Sequence, residues 1–245
     1  MNLGRFDRLD ALRGAAMVWM ALFHFGFDLN HFGLWWPRQN FHSDLLWTGQ
    51  RTAIVSLFLF CVGLSQAVAL DAGQSWPRFA WRWAQVAFCA GLVSLGSLWM
   101  FPHSWISFGV LHGIAVMLIL ARWAAPLRPW LWPLGAACIA LPPWLLWLHR
   151  TWFDGGWLQW LGLGLRKPVS EDYVPVLPWL GVVLIGLAAG QWLLAHRRTW
   201  LAGTLFPGLQ PLATLGRWSL SFYVIHQPVL IGAVMAFVAL RGLLR

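Results

Sequence analysis

Thr52-Ala-Ile-Val-Ser-Leu-Phe-Leu-Phe-Cys-Val-Gly-Leu-Ser-Gln-Ala-Val-Ala-Leu70 runs without a single charge. A helix that crosses a bilayer needs about 20 such residues, far more than a buried strand does. Working outward, comparable spans lie at about 11–30, 83–101, 107–122, 129–148, 175–195 and 218–240. The chain has 245 residues, of which 59% are hydrophobic and only 10% charged. Soluble domains carry about 25% charged residues. The 21 tryptophans suit the headgroup level, where the ring meets lipid and the N–H meets water. The expected fold is all-α: a polytopic transmembrane helix bundle of about seven spans, within six to eight, forming one domain over 1–245.

The net charge of +9 is placed by the same pattern. Arg5, Arg8 and Arg13 precede the first span. Arg78 and Arg82 lie between the second and third, and Arg122 and Arg128 follow the fourth. Arg197, Arg198 and Arg217 lie between the sixth and seventh. The positive-inside rule puts these segments and the N-terminus in the cytoplasm, in an inner (plasma) membrane. Bases set between apolar spans argue against nucleic acid as a partner and for lipid headgroups. The other loops, 31–51, 102–106 and 149–174, hold most of the acids: Asp44, Asp154, Glu171 and Asp172. Seven spans leave the C-terminus outside. Arg241 and Arg245 keep an eighth crossing open. The N-terminal run carries His24 and Asp28 with no small-residue cleavage site after it, so it reads as a retained helix rather than a signal peptide. Segment 199–216, broken by Gly203, Pro207, Gly208 and Pro211, reads as lying along the inner interface. Cys61, Cys89 and Cys138 are far apart within apolar spans and read as small hydrophobes.

Ionisable groups inside a membrane helix are costly and point to function. His24, Asp28 and His31 step by four and three along one face of the first helix. His24 then sits roughly 9 Å inside the outer end. His112 lies a few residues into the fourth span. Ser219, Tyr223 and His226 share a face of the seventh, followed by Gln227 and Pro228. Pro228 frees a carbonyl in the preceding turn. His24, His112 and His226 are expected to face one polar cavity. His42 and Asp44 lie in the outer loop 31–51.

Arg8-Leu-Asp-Ala-Leu-Arg-Gly-Ala-Ala-Met-Val-Trp-Met-Ala-Leu-Phe-His24 is more specific than composition. It resembles the first helix of membrane acyltransferases, where L-D-x-L-R-G precedes an apolar run ending in His. The acyltransferase-3 and heparan-alpha-glucosaminide N-acetyltransferase-like families share it. Four further stretches resemble the second family: residues 23–33, Phe108-Gly-Val-Leu-His112, Asp172-Tyr-Val-Pro-Val-Leu-Pro-Trp179, and Gly216-Arg-Trp-Ser-Leu-Ser-Phe-Tyr-Val-Ile-His226-Gln-Pro. The resemblance implies a donor, acetyl-CoA in the cytoplasm, and an amino-sugar or other glycan acceptor across the membrane, with no metal. It also implies a catalytic His in the loop after the first helix, ahead of a helix ending in Phe-x-x-Gly. His42 precedes Phe60-Cys-Val-Gly63 in that way. His24 takes the place of an Asn in the larger members and of a catalytic His in the acyltransferase-3 group. The loop between His24 and His42 is longer here.

Acyl transfer from a thioester needs a base for the acceptor and stabilisation of an oxyanion. His24, His42 and Asp28 are the expected catalytic set, with Asp28 available to fix the tautomer of His24 or His31. His31, Asp44, His112, Tyr223, His226 and Gln227 are expected around the substrate. Asp10, Arg13, Arg78, Arg82 and Arg122 are expected at the inner mouth, where guanidinium groups suit the phosphates of acyl-CoA. Direct transfer and an acyl-histidine route both stay open, as does a homodimer. One rival is a proton-coupled transporter of a small molecule or lipid, which would use the same histidines as a proton path. The other is a haem or quinone subunit with two of these histidines as axial ligands.

Overall fold

A computed structural model describes residues 6–147 and 156–243. Arg5, Asp154 and Arg245 lie outside the described residues. Among those described there is no strand. The helices are α1 (Asp7–His31), α2 (Leu45–Asp71), α3 (Trp76–Met100), α4 (Val110–Ala124), α5 (Leu131–Trp147), α6 (Val176–His196), α7 (Arg198–Leu201), α8 (Gln210–Arg217) and α9 (Ser219–Leu243). Short 3₁₀ turns cover Ala125–Trp130, Gly156–Leu161 and Pro207–Leu209.

Each of the seven apolar runs lies on one helix, α1 to α6 and α9, though α4 has only 15 residues. Several helices start earlier than the apolar runs suggest: α2 at Leu45 instead of 52, α3 at Trp76 instead of 83. Apolar counting stops at Arg51, Arg78 and Arg82, but a guanidinium near a helix end reaches water along its stem. The ends follow local chemistry. α1 and α2 each close on a glycine in the left-handed region, Gly33 at φ 72° and Gly73 at φ 70°. At α2, Gln74 N–H donates to Ala69 O and Gly73 N–H to Leu70 O, both at 3.0 Å. That is the Schellman pattern, which needs a residue free to take positive φ. Ser75 in extended backbone and Pro77 in the first turn then start α3.

Five stretches are long and apolar enough to cross a membrane: Leu45–Asp71, Trp76–Met100, Val110–Leu145, Val176–His196 and Ser219–Leu243. The third has 36 residues and takes in both α4 and α5. A straight helix of that length would reach about 54 Å, against a hydrocarbon thickness of about 30 Å. Its backbone turns at Arg128, at φ 45°. α1 is as long as α3 but carries Asp7, Arg8, Asp10 and Arg13 in its first two turns.

The chain divides into two compact units. One takes the described residues of Met1–Leu9 and Leu59–Gly203. It contains the latter part of α2 with α3 to α7. Here α6 is the central helix, with buried Val183, Leu184 and Leu187. A Cβ on Gly63 would overlap the carbonyl of Val183, and one on Gly186 that of Phe60. Helix backbones approach this closely in membranes only across small residues. The other unit takes Asp10–Phe58 and Thr204–Arg245. It contains most of α1, the start of α2, α8 and α9. Gly14 and Gly216 make its tight crossing, each opposite a carbonyl, those of Leu212 and Asp10. Segment 199–216 thus folds into α7, a 3₁₀ turn and α8, and its last turn packs on α1.

Candidate active site

The second unit gathers polar groups at two neighbouring levels of α1. At the first, His24 Nδ1 and His226 Nε2 are 2.8 Å apart, a hydrogen bond between α1 and α9. The rings lie nearly parallel, centroids 5.1 Å apart and planes at 20°. Phe222, one turn before His226, stacks on it at 5.5 Å and 11°. The other ring nitrogen of His226 meets two carbonyls of its own helix, Tyr223 O at 2.8 Å and Phe222 O at 3.2 Å. Pro228 deprives Val224 of its helical donor, so the carbonyls His226 meets are not the one the proline releases.

One turn on, Gln227 Nε2 donates to both carboxylate oxygens of Asp28, at 3.0 and 3.3 Å. Asp28 is only 3% exposed. Gln227 Oε1 is buried and has no partner among the described residues. A buried acceptor without a donor is costly, and such groups mark places where water or ligand belongs. Tyr223 stacks on Phe58 at 6.3 Å and lies 5.9 Å from the His226 ring. The sequence reading puts Asp28 beside His24 or His31; the hydrogen bonds run between helices instead. Asp28 binds Gln227, and His24 binds His226.

The second level opens to the surface. His31 and His42 both pack on Phe27, each at 6.2 Å, the first stacked and the second edge-on. They line a cleft of about 380 Å³ with Asn30, Arg38, Gln39, Asn40 and Phe41. Asn30 shapes its wall by bonding Gln39 twice, donating to its carbonyl at 3.0 Å and accepting from its N–H at 2.7 Å. Phe41 stacks on Trp47 at 4.0 Å and pins the loop to α2. The His42 ring is exposed and has no hydrogen-bond partner among the described residues. Asp44, also expected near substrate, accepts from Asn40 N–H at 3.3 Å and closes the turn ahead of α2. Sequence reasoning missed Phe27, Asn30 and Arg38. The signal for Asn30 was an amide at the end of a helix with a long loop to organise.

The remaining expected residues have these surroundings. Asp10 is buried and contacts Arg13 at 3.1 Å and Arg217 at 3.6 Å. Arg13 also donates to Gly216 O at 3.1 Å. In the first unit, Arg78 and Arg82 line an open groove of about 600 Å³ with Gln74, Pro77 and Trp81. Arg122 is 7% exposed and turned inward. It donates to Gln74 Oε1 at 3.1 Å and Gln74 O at 2.7 Å, and lies over the rings of Trp76 and Phe79 at 4.4 and 4.6 Å. His112 also belongs to the first unit. It bonds Ser94 Oγ at 3.1 Å and accepts from Gly109 N–H at 3.3 Å, while Asp172 accepts from Val110 N–H at 2.8 Å and caps α4. Among the described residues no three His, Cys, Asp or Glu side chains are grouped as metal ligands.

Residues 5–228 match the family described as heparan-alpha-glucosaminide N-acetyltransferase, catalytic. No curated protein and no solved structure matches the chain.

Proposed function

Because the chain belongs to the heparan-alpha-glucosaminide N-acetyltransferase catalytic family, whose members are membrane acetyltransferases, we propose that it moves an acetyl group from cytoplasmic acetyl-CoA to an amino sugar or sugar hydroxyl on the outer side of the membrane. The observation that carries the assignment of the site is the pairing of half-buried His24 with buried His226 and of buried Asp28 with half-buried Gln227, one turn below a cleft with two more imidazoles. In the proposed reaction His24 takes the proton from the acceptor nitrogen or oxygen as that atom attacks the thioester carbon. The new C–N or C–O bond forms, the C–S bond breaks, and the coenzyme A thiolate leaves and is then protonated from His24. Asp28 and the unpartnered Gln227 Oε1 accept hydrogen bonds from the acceptor and orient it. His42 and His31 bind the acceptor in the cleft, and His42 is the candidate for a transient acyl carrier. Arg78 and Arg82 hold the phosphates of the donor.

The proposed topology has the N-terminus in the cytoplasm and seven crossings in the inner membrane. α1 counts as a crossing because its charges fall in its first two turns, and α4 and α5 count separately because the backbone turns at Arg128. The test is release of free thiol from acetyl-CoA by purified protein in detergent, over a panel of amino sugars and sugar alcohols. The expected result is turnover with at least one acceptor. His24→Ala is expected to abolish it while leaving the protein folded, with a midpoint lowered only by the loss of the bond to His226. No thiol release with any acceptor, together with proton-coupled uptake in vesicles, would establish the transporter instead.

A further inference from the structure

The hydrogen bonds around His226 fix more than its position. Carbonyl oxygens accept and never donate. His226 Nδ1 faces two of them, so Nδ1 carries the proton. In a neutral His226, Nε2 is then a lone pair and can only accept. His24 Nδ1, 2.8 Å away, must supply the proton of that bond. A neutral His24 with its proton on Nδ1 has a bare lone pair on Nε2, and Nε2 has no hydrogen-bond partner among the described residues. We infer that His226 is a positioning residue that locks His24 in the Nδ1–H tautomer and leaves Nε2 as the base.

The logic is that of an imidazole oriented by a third group, with a second imidazole and two main-chain carbonyls in place of a carboxylate. Asp28, the nearest carboxylate along α1, is engaged by Gln227. Phe222 stacking on His226 holds the plane of the ring whose Nε2 accepts from His24. When Nε2 of His24 takes up a proton, the resulting imidazolium keeps its Nδ1–H on His226 Nε2, so no rearrangement of the pair is needed. The catalytic part of this inference rests on the acyl-transfer reading, whereas the tautomer does not.

Ring-¹⁵N-labelled histidine in the full chain, reconstituted in lipid nanodiscs, reads the tautomer directly. His24 signals are assigned by their loss in His24→Gln and their shift in His226→Gln. The expected spectrum has His24 protonated at Nδ1 and unprotonated at Nε2. A His24 protonated at Nε2 overturns the inference. For turnover, His226→Gln places a carboxamide oxygen where Nε2 accepts, and is expected to stay within about tenfold of the parent. His226→Ala is expected to lose about 100-fold or more in kcat with the acceptor KM unchanged. A fully active His226→Ala, or a folded His226→Gln as inactive as the alanine variant, also overturns it. If the parent releases no thiol at all, the acyl-transfer reading fails and the spectrum still decides the tautomer.

Discussion

Asp10 shows how differently one residue reads from sequence and from structure. Its side chain is 7% exposed, between Arg13 at 18% and Arg217 at 36%. In the sequence it was part of a motif and a candidate for the donor site. In the fold it joins the first turns of α1 to the end of α8. Removing the Asp10 carboxylate breaks both of these contacts at once, and hydrogen bonds to charged groups are worth about 1.5–3 kcal/mol. Asp10→Ala is therefore expected to lower the unfolding midpoint clearly in a detergent melt, and Arg217→Ala to lower it less, because Arg217 is half in solvent. His112 invites a similar test. Ser94 Oγ donates to Ile106 O at 2.7 Å, so it takes its bond from His112 Nε2, whose other nitrogen accepts from Gly109. Both ring nitrogens are thus spent on local structure. His112→Phe should cost about 1–2 kcal/mol in the same melt, with acceptor KM unchanged in the thiol assay. His24, Asp28, His226 and Gln227 were legible in the sequence, since polar groups in an apolar span announce themselves. Their pairing was not, because the spacing along one helix says nothing about which residue of another helix it meets. Arg122 is the opposite case: a guanidinium at a helix end reads as facing phosphate, and the rings of Trp76 and Phe79 draw it inward instead.

For the helices, existence was readable and boundaries were not. Apolar runs locate the part of a helix that lipid or protein covers, while the hydrogen-bond ladder continues through Leu45–Arg51 and Trp76–Arg82. The glycines carry the information on packing. Phe60-Cys-Val-Gly63 entered as a resemblance, and its physical content is the crossing of α2 with α6, where Gly63 and Gly186 bring two backbones together. Gly63→Ala must push those helices apart, at about 3 kcal/mol by analogy with overpacked cores. Gly232 in α9 has nothing within 4 Å of the place a Cβ would take. Gly232→Ala should stay within about 1 kcal/mol of the parent. Equal melting points for the two variants would refute the crossing.

The whole molecule is defined by what surrounds it. Trp36, Trp76, Trp81, Trp99 and Trp123 are all exposed, as are Phe88 and Leu95 along α3. Such a surface belongs in lipid. The 27 residues of α2 separate its ends by about 40 Å, enough to cross the hydrocarbon. In whole cells, Ser43→Cys is expected to react with an impermeant maleimide and Ser75→Cys to react only after the membrane is opened. Labelling of Ser75→Cys from outside would invert the proposed orientation. Arg122 has a consequence at this scale too. Its partners among the described residues are an amide, a carbonyl and two aromatic rings, all neutral. Mobile ions weaken attraction between opposite charges but act little on a cation buried among dipoles. Concentrated salt should therefore spare the bend joining α2 to α3 and loosen first the junction where Arg217 reaches Asp10, so that the two units respond unequally to ionic strength.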